Sequence, residues 1–258
     1  MSQPLRLEQF KKENGVYILS ERNNDFEEFY IKVREKEKRI YSDAELGNLP
    51  FATESNPHIL EWKLRAKSFI RFNNYLGKKK QSINILDLGC GNGWFSGQLS
   101  KTFNHKFYCV DINQIELEQA RRVFNSDNLN FLYADIFTET FQENTFDLII
   151  VNAAIQYFPV LKRLIKLLLS LLKMDGEIHF VDSPIYLKNE VGSAKKRTMD
   201  YYNSIGFPEM SNKYFHHSWN ELSEFNSEII FNPTSIVNKF KQLIFIKDSP
   251  FPWVKISL

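Results

Sequence analysis

Short apolar, β-branched runs alternate with amphipathic segments from residue 83 onward. Five of these runs predict strands, at 83–88, 106–110, 129–134, 146–151 and 177–181. Helical stretches are predicted between them, beginning near residues 94, 114 and 160, and the last places one apolar stripe on a single face: Leu161, Leu164, Ile165, Leu168 and Leu172. This alternation is typical of parallel strand–helix–strand units in an α/β sheet.

Further elements are predicted on both sides of this core. Upstream, a charged helix is expected at 25–38, then a loop, then a helix with Asn56 as N-cap and Pro57 at its first position that ends before Gly77. Downstream, we expect a helix at 189–205, a strand near 227–231, a helix near 235–244 and a last strand near 253–257. One domain with an N-terminal extension accounts for this pattern.

Composition narrows the class of protein without defining a partner. The 258 residues carry 33 Lys and Arg against 31 Asp and Glu, a balance that gives no electrostatic case for nucleic acid. No signal core or bilayer-length apolar run is evident, and Cys90 and Cys109 are too few for a disulfide framework. These features predict a cytoplasmic protein with no membrane partner.

A glycine-rich turn follows the first strand of the core. In "ILDLGCGNG", Gly89, Gly91 and Gly93 permit a sharp bend and close approach of a ligand to the main chain. A dinucleotide motif needs a small residue at its sixth position, where Trp94 stands when counted from Gly89. The carboxylate of Asp87 would repel a pyrophosphate but attract an ammonium group, so the sequence favours a cofactor with an amino-acid part.

Polar side chains also end the other predicted strands. Asp87, Asp111 and Asp135 are spaced 24 residues apart, and Asn152 ends the fourth strand. Ligands of open parallel sheets bind beyond these strand ends, so we expect the four side chains to converge. Asp111 is placed to accept both hydroxyls of a ribose, and Asp135 to accept an adenine amino group. An N-cap for the following helix is the alternative interpretation of each single acid.

Five segments together resemble a known family. "ILDLGCGNG", "CVDIN", "LYADIF", "FDLIIVNAAIQYF" and "LLKMDGEIHFVD" are similar, in order and spacing, to the motifs of class I S-adenosylmethionine-dependent methyltransferases of the small-molecule group, over residues 55 to 185. The resemblance implies a Rossmann-like, doubly wound α/β sheet. It would have seven mostly parallel strands with an antiparallel final strand, plus an N-terminal helical extension.

The resemblance also assigns positions around S-adenosyl-L-methionine. It implies that Gly89 to Gly93 face the methionine, Asp111 the ribose, Asp135 with Ile136 the adenine, and Asn152 the methyl group. Ile112 is expected to bind the cofactor as well. Residues 1–55 would form an extension or lid, and residues 56–258 the methyltransferase domain. Tyr41 and Arg65 are expected to close over the site, with Arg65 pairing with the methionine carboxylate; otherwise Arg65 is an ordinary solvated helix residue.

Elimination among subclasses bears on the acceptor. Asn152-Ala153-Ala154-Ile155 lacks the prolines of enzymes that methylate amines in DNA, and neither cysteine stands where cytosine-C5 enzymes keep theirs. Asp182-Ser183 departs from the magnesium-binding pattern of catechol-type enzymes. The remaining expectation is a small-molecule acceptor, without nucleic acid and without a metal.

Three residues are candidates beside the transferred methyl. Gln156 and Tyr157 resemble the methyl-pocket position of small-molecule enzymes, although Tyr157 has the alternative of packing against the next helix. His217, beside His216, is a candidate general base because histidine titrates near neutrality; a structural histidine is the alternative.

The sequence therefore predicts an S-adenosylmethionine-dependent methyltransferase that moves a methyl group by in-line displacement to an unidentified small molecule. A non-catalytic S-adenosylmethionine-binding protein, acting as a sensor or partner platform, is the competing hypothesis. A nicotinamide-dependent oxidoreductase is disfavoured by Trp94 and Asp87. We expect a monomer or a homodimer.

Overall fold

The computed structural model describes residues 5–138, 141–236, 238 and 247–258. Nine strands form one sheet in the order β1-β2-β5-β4-β3-β6-β7-β11-β10. The main-sheet strands are β1 (Lys11–Glu13), β2 (Val16–Ile18), β3 (Asn84–Leu88), β4 (Lys106–Asp111), β5 (Leu129–Tyr133), β6 (Phe146–Asn152), β7 (Leu172–Val181), β10 (Asn226–Phe231) and β11 (Trp253–Ser257). Two further strands, β8 (Ile185–Tyr186) and β9 (His217–Ser218), pair with each other.

Helices cover the sheet and its upper edge. In chain order they are α1 (Asn24–Lys36), α2 (Asp43–Asn48), α3 (Ile59–Leu76), α4 (Trp94–Thr102), α5 (Gln114–Val123), α6 (Leu161–Leu171) and α7 (Val191–Ile205). Short 3-10 turns follow β6 and α7.

The strand directions confirm the expected Rossmann-like architecture. Six neighbours, from β2 through β5, β4, β3 and β6 to β7, run parallel, whereas β11 lies antiparallel between β7 and β10. The chain winds outward from β3 through β4 to β5, then returns to place β6 on the other side of β3. That reversal opens a crevice above the carboxyl ends of β3 and β6.

A hairpin in the N-terminal extension enlarges the sheet beyond the seven predicted strands. The strands β1 and β2 join through Asn14 and Gly15, both with positive φ (47° and 86°), as a two-residue hairpin turn requires. Strand β2 pairs with β5, with Tyr17 opposite Leu132. The extension is therefore not helical throughout, and the Asn-Gly pair was the signal for it.

Other boundaries also differ from the sequence pattern. The segment expected as a loop contains α2, which begins with a capping box between Ser42 and Glu45. The next helix begins at Ile59 and not at Pro57, because the Asn56 carboxamide accepts from the His58 main chain and holds a turn there. The helix expected near 235–244 falls mostly outside the described residues.

Two apolar layers pack against opposite faces of the sheet. Alternating residues of β3 show the division, since Ile85 belongs to the layer under α3, α4 and α5, and Leu86 to the layer under α6. Phe72, Phe95, Phe107 and Phe131 fill the first layer with at most 2% exposure. Much of the phenylalanine excess therefore fills the core.

Gly97 lies where α4 meets Phe124, and a methyl group there would stand 2.4 Å from the ring Cγ. Because Phe124 is buried, we expect Gly97→Ala to lower the free energy of unfolding by about 1–3 kcal/mol through overpacking. The measurement is urea unfolding. Gly192→Ala in α7, which meets no atom within 4 Å, is the control and should be neutral or slightly stabilising. Equal effects of the two changes would contradict this packing argument.

Candidate active site

A cavity of about 960 Å³ lies above the carboxyl ends of β3, β4, β5 and β6. It is covered by α1, the segment between α1 and α3, the start of α3, and α7 with the turn after it. Many residues expected to bind the cofactor or to border the methyl group line it: Tyr41, Arg65, Gly89, Gly91, Asp111, Ile112, Asp135, Ile136, Asn152, Gln156 and Tyr157.

The glycine turn forms the floor of the cavity. Gly89 has φ +70°, and a side chain there would come within 2.6 Å of Ala154 Cβ. Gly91 has φ +53°, and its amide donates to Asp111 Oδ2 over 2.8 Å. Gly93 does not line the cavity; it precedes α4, and a methyl group there would stand 2.8 Å from the Phe131 ring. Two glycines thus leave main chain open to a ligand, and the third permits packing.

Asp111 links the glycine turn to the end of β4. Besides the Gly91 amide on Oδ2, its Oδ1 accepts from the main-chain amides of Ile112 and Asn113, at 2.8 and 3.0 Å. Burial raises the pKa of Asp111 to about 6 despite these bonds. The carboxyl group is therefore oriented beside the cavity.

The rim above β5 combines one acid with apolar walls. Asp135 is exposed, and its Oδ1 accepts from the Phe137 amide at 3.0 Å. Ile136 is buried, whereas Ile112 is 40% exposed across the rim. Exposed apolar surface beside a carboxylate suits a flat ring with polar edge groups.

Asp87 does not reach the cavity, contrary to the expected contact with an ammonium group. The residue is 1% exposed below the turn, where Oδ2 accepts from Ser96 Oγ at 2.6 Å and Oδ1 has no hydrogen-bond partner among the described residues. Alternation along β3 is the physical reason, because Asp87 shares the face of Ile85 and points to α4. Burial raises its pKa to about 7.

The two expected covering residues meet through Trp62. Tyr41 accepts a hydrogen bond from the Trp62 indole at 3.0 Å, and the Arg65 guanidinium lies 5.4 Å over the same ring system. Arg65 Nε donates to Glu61 Oε1 at 2.9 Å, and Arg39 also binds Glu61, whose pKa is lowered to about 2 by its two arginine partners. The Arg65 Nη atoms form no hydrogen bond within the described residues, and Arg65 lines the cavity.

Unpartnered polar atoms cluster where the methyl group was expected. Asn152 Oδ1 and Gln156 Oε1 are buried without a hydrogen bond among the described residues, and both residues line the cavity. Tyr157 packs edge-to-face between Tyr30 and Tyr214, with centroids 5.9 and 6.1 Å away. Because buried polar atoms are normally paired, this cluster indicates a place for a ligand.

His217 lies outside the cavity, and the geometry gives a general-base role no support. In β9 it is 2% exposed, with Nε2 3.0 Å from the Ile155 carbonyl oxygen and Nδ1 3.3 Å from Glu221 Oε2. Nε2 thus holds the segment after β7 against the turn after β6, and Nδ1 is engaged by Glu221 within that same segment. The structural alternative describes its position.

Sequence reasoning missed Glu116, Tyr30 and Arg34, which line the cavity. Burial raises the pKa of Glu116 to about 7, next to Gly91. Tyr30 and Arg34 belong to α1, which the sequence predicted only as a charged helix. The available signal was an i, i+4 series that places Phe26, Tyr30 and Arg34 on one face.

Comparison with known proteins assigns the class. The sequence model of a family described as "Methyltransferase domain" matches residues 79–228, more than half of the chain. The chain belongs to this family, which confirms the class I S-adenosylmethionine-dependent methyltransferase interpretation of the motifs.

Individual relatives agree in fold. One curated relative, malonyl-[acyl-carrier protein] O-methyltransferase 1 of Ilyobacter polytropus, is 41% identical over 40% of this chain and 39% of its own length. This chain spans about two-fifths of the length of the curated relatives it matches. The fold is similar to that of Haemonchus contortus phosphoethanolamine N-methyltransferase 2 (TM-score 0.58, 16% identity, 90% of this chain and 59% of that one). It is also similar to YcgJ of Bacillus subtilis (0.54, 15%, 74% and 98%).

The described residues contain neither a candidate membrane-spanning helix nor a candidate metal-binding cluster. No helix in the described part of the chain has the length and apolarity to cross a membrane. Within the same residues, no group of three or more His, Cys, Asp or Glu side chains is placed to hold a metal ion.

The raised pKa of Asp87 makes a prediction about stability. The pKa of an aspartate is 3.8 in the unfolded chain, and that of folded Asp87 is about 7. Between these pH values the unfolded chain therefore binds fewer protons than the folded one. The free energy of unfolding therefore falls as pH rises through this interval. Asn cannot ionise, so Asp87→Asn should gain stability relative to the natural chain between about pH 4 and pH 7.5, by at most about 4 kcal/mol. Urea unfolding at both pH values measures this, and a difference that is constant with pH would contradict it.

Proposed function

We propose that this protein transfers a methyl group from S-adenosyl-L-methionine to a small-molecule acceptor. One observation carries the proposal: a glycine turn open to the cavity, tied to a strand-end carboxyl, lies beside buried polar atoms that lack partners. One ligand could contact the carboxyl group, the open main chain and the unpartnered polar atoms at the same time. Family membership supports the same chemistry.

The residues present fit this cofactor. Asp111 would accept from the ribose hydroxyls, Asp135 from the adenine amino group, and Ile112 with Ile136 would contact the adenine faces. Gly89 and Gly91 would lie along the methionine part, whose carboxylate the Arg65 Nη atoms would meet. Asp87 is left out of this contact set, since its place is to hold the turn through Ser96.

The main task of the protein in this reaction is to align the acceptor with the methyl group of the cofactor. When bound, the cofactor supplies an electrophilic methyl on a sulfonium. Asn152, Gln156 and Tyr157 would border that methyl and hold the acceptor in line with it, and the covering helices would exclude water. No strong base is needed for an acceptor that is already nucleophilic, which agrees with the position of His217. We propose residues 1–55 as the cover and 56–258 as the catalytic domain, with β1 and β2 joined to the sheet.

The lining of the cavity favours an enzyme over a non-catalytic binder. Tyr201, Tyr202, Lys213 and Tyr214 also line it, and the adenosyl contacts do not use them; we call the part that they border the second compartment. A sensor would need no such second compartment. The curated relatives are named for an acceptor held on a carrier protein. An acceptor attached to a carrier protein is therefore the alternative to a free small molecule within this proposal. A cytoplasmic location and a monomeric or homodimeric state stay predictions of the sequence.

Calorimetry with S-adenosylmethionine and S-adenosylhomocysteine tests cofactor binding. Asp111→Asn removes the charge expected to accept from the ribose, so affinity for both should fall roughly ten- to a hundredfold. Asp127→Asn, on an exposed residue that does not line the cavity, should leave affinity unchanged.

Two results would contradict the proposal: no binding of S-adenosylmethionine, or tighter binding of a nicotinamide dinucleotide. Transfer of labelled methyl from the cofactor to a pool of small metabolites or to acyl-carrier protein then separates enzyme from binder. Tight binding without transfer to either would favour the sensor.

A further inference from the structure

The cover and the floor of the cavity carry opposite charge. Asp111, Glu116 and Asp135 come from the sheet rim and α5. The covering elements contribute five cations that line the cavity, Arg34, Arg39, Arg65, Arg197 and Lys213, and three acids, Glu21, Glu37 and Glu61. The cover is therefore basic where it faces the compartment that the adenosyl contacts leave open.

The acids on the cover neutralise only part of this charge. Glu61 binds Arg39 and Arg65, as described above. Glu37 places one oxygen 3.5 Å from Arg34 and 3.8 Å from Arg39, while its other oxygen accepts from the Tyr201 hydroxyl at 3.0 Å. Arg197 and Lys213 form no ion pair within the described residues. The positive charge of Arg197 and Lys213 is therefore not offset by an ion pair and can attract an anion into the cavity.

Arg34 is a largely buried cation whose nitrogens lack hydrogen-bond acceptors among the described residues. Only 22% of the side chain is exposed, and its Nε is buried without a hydrogen-bond partner. No described residue accepts a hydrogen bond from any of its nitrogens, and Glu37 is the one described carboxylate that forms an ion pair with it, at a long 3.5 Å. A guanidinium held away from water needs acceptors. A ligand oxyanion would supply them.

The surroundings of Arg34 are rich in donors. We call Tyr30, Tyr157, Tyr202 and Tyr214 the tyrosine cluster; successive rings lie 5.9 to 6.4 Å apart. The Arg34 guanidinium lies 5.7 Å from the Tyr30 ring centre. Burial raises the pKa of every one of these hydroxyls, so they stay neutral donors at physiological pH. Aromatic walls and a planar cation suit a small organic anion.

We propose that the acceptor is a small organic oxyanion, a carboxylate or a phosphate ester, whose charged group binds the Arg34 guanidinium within the tyrosine cluster. This inference rests on the proposed function and specifies its substrate class. It places the anionic group under α1, beside the Tyr30 and Tyr157 rings. Arg197 and Lys213 stand at the wall formed by α7 and its following turn, where they attract the anion into the compartment.

The test uses the full chain loaded with S-adenosylhomocysteine. Three probes of similar size are titrated by calorimetry or ligand-observed NMR: phenylacetate, phenyl phosphate and phenethylamine. We expect the anions to bind more tightly than the amine. Arg34→Gln should weaken anion binding about tenfold or more while the affinity for S-adenosylhomocysteine stays the same. Arg6→Gln, on an exposed arginine outside the cavity, is the matched control and should change neither.

A second variant guards against misfolding of the first. Tyr30→Phe removes one hydroxyl and keeps the ring packing, and it should weaken the anion several-fold. If phenyl phosphate binds more tightly than phenylacetate and its binding depends on Arg34, the anionic group of the acceptor is a phosphoryl group. If phenylacetate binds more tightly and its binding depends on Arg34, the anionic group is a carboxylate.

Several outcomes overturn the inference. They are preference for phenethylamine, no binding of either anion to the natural chain, or equal anion binding to the natural chain and Arg34→Gln. Loss of S-adenosylhomocysteine affinity in Arg34→Gln without loss of anion binding would assign Arg34 to the methionine carboxylate and also overturn it. Failure of the natural chain to bind S-adenosylhomocysteine is a different result, because it refutes the proposed function itself.

Discussion

The hydrogen bond from the Gly91 amide to the Asp111 carboxylate is the contact on which the site depends. It ties the turn after β3 to the end of β4, and Asp111 Oδ1 in turn receives the amides that open α5. Parallel strands place these two ends side by side. A single carboxyl group thus sets the spacing between the surface that would meet the methionine and the edge that would meet the ribose. Its raised pKa reflects the burial required for this junction.

The aspartates at the ends of β3, β4 and β5 differ in position and in role. Asp87 lies one layer lower and supports the turn through Ser96, whereas Asp111 and Asp135 stand at the cavity. Three acids at equal spacing in the sequence therefore have different roles. The difference follows from strand alternation: the last residue of a strand can point up to the ligand, but one within the strand must point into a layer.

The sequence predicts the features that local patterns encode and misses those that depend on contacts between distant parts of the chain. The parallel core follows from local periodicity, and the glycine turn with Asp111 and Asp135 follows from position at strand ends. The hairpin at Asn14-Gly15 was overlooked because its strands are three residues long, too short for a period to show. Arg34 and Tyr30 were not among the predicted site residues because nothing local indicates that α1 lies over the crevice. The position of His217 outside the cavity was unforeseen for a related reason. The sequence of a histidine pair after β7 does not indicate which neighbours will contact the ring nitrogens.

The attachment of β2 to β5 decides how the cover can open. The chain is fixed to the sheet edge just before α1, where the Leu19 amide donates to the Tyr133 carbonyl and the Asn23 amide to the Tyr133 hydroxyl. It is fixed again where α3 packs on the core through Phe69 and Phe72. A segment pinned at both ends cannot swing away as a free arm. Opening of this part of the cover would therefore bow the span between the two anchors and move its residues together.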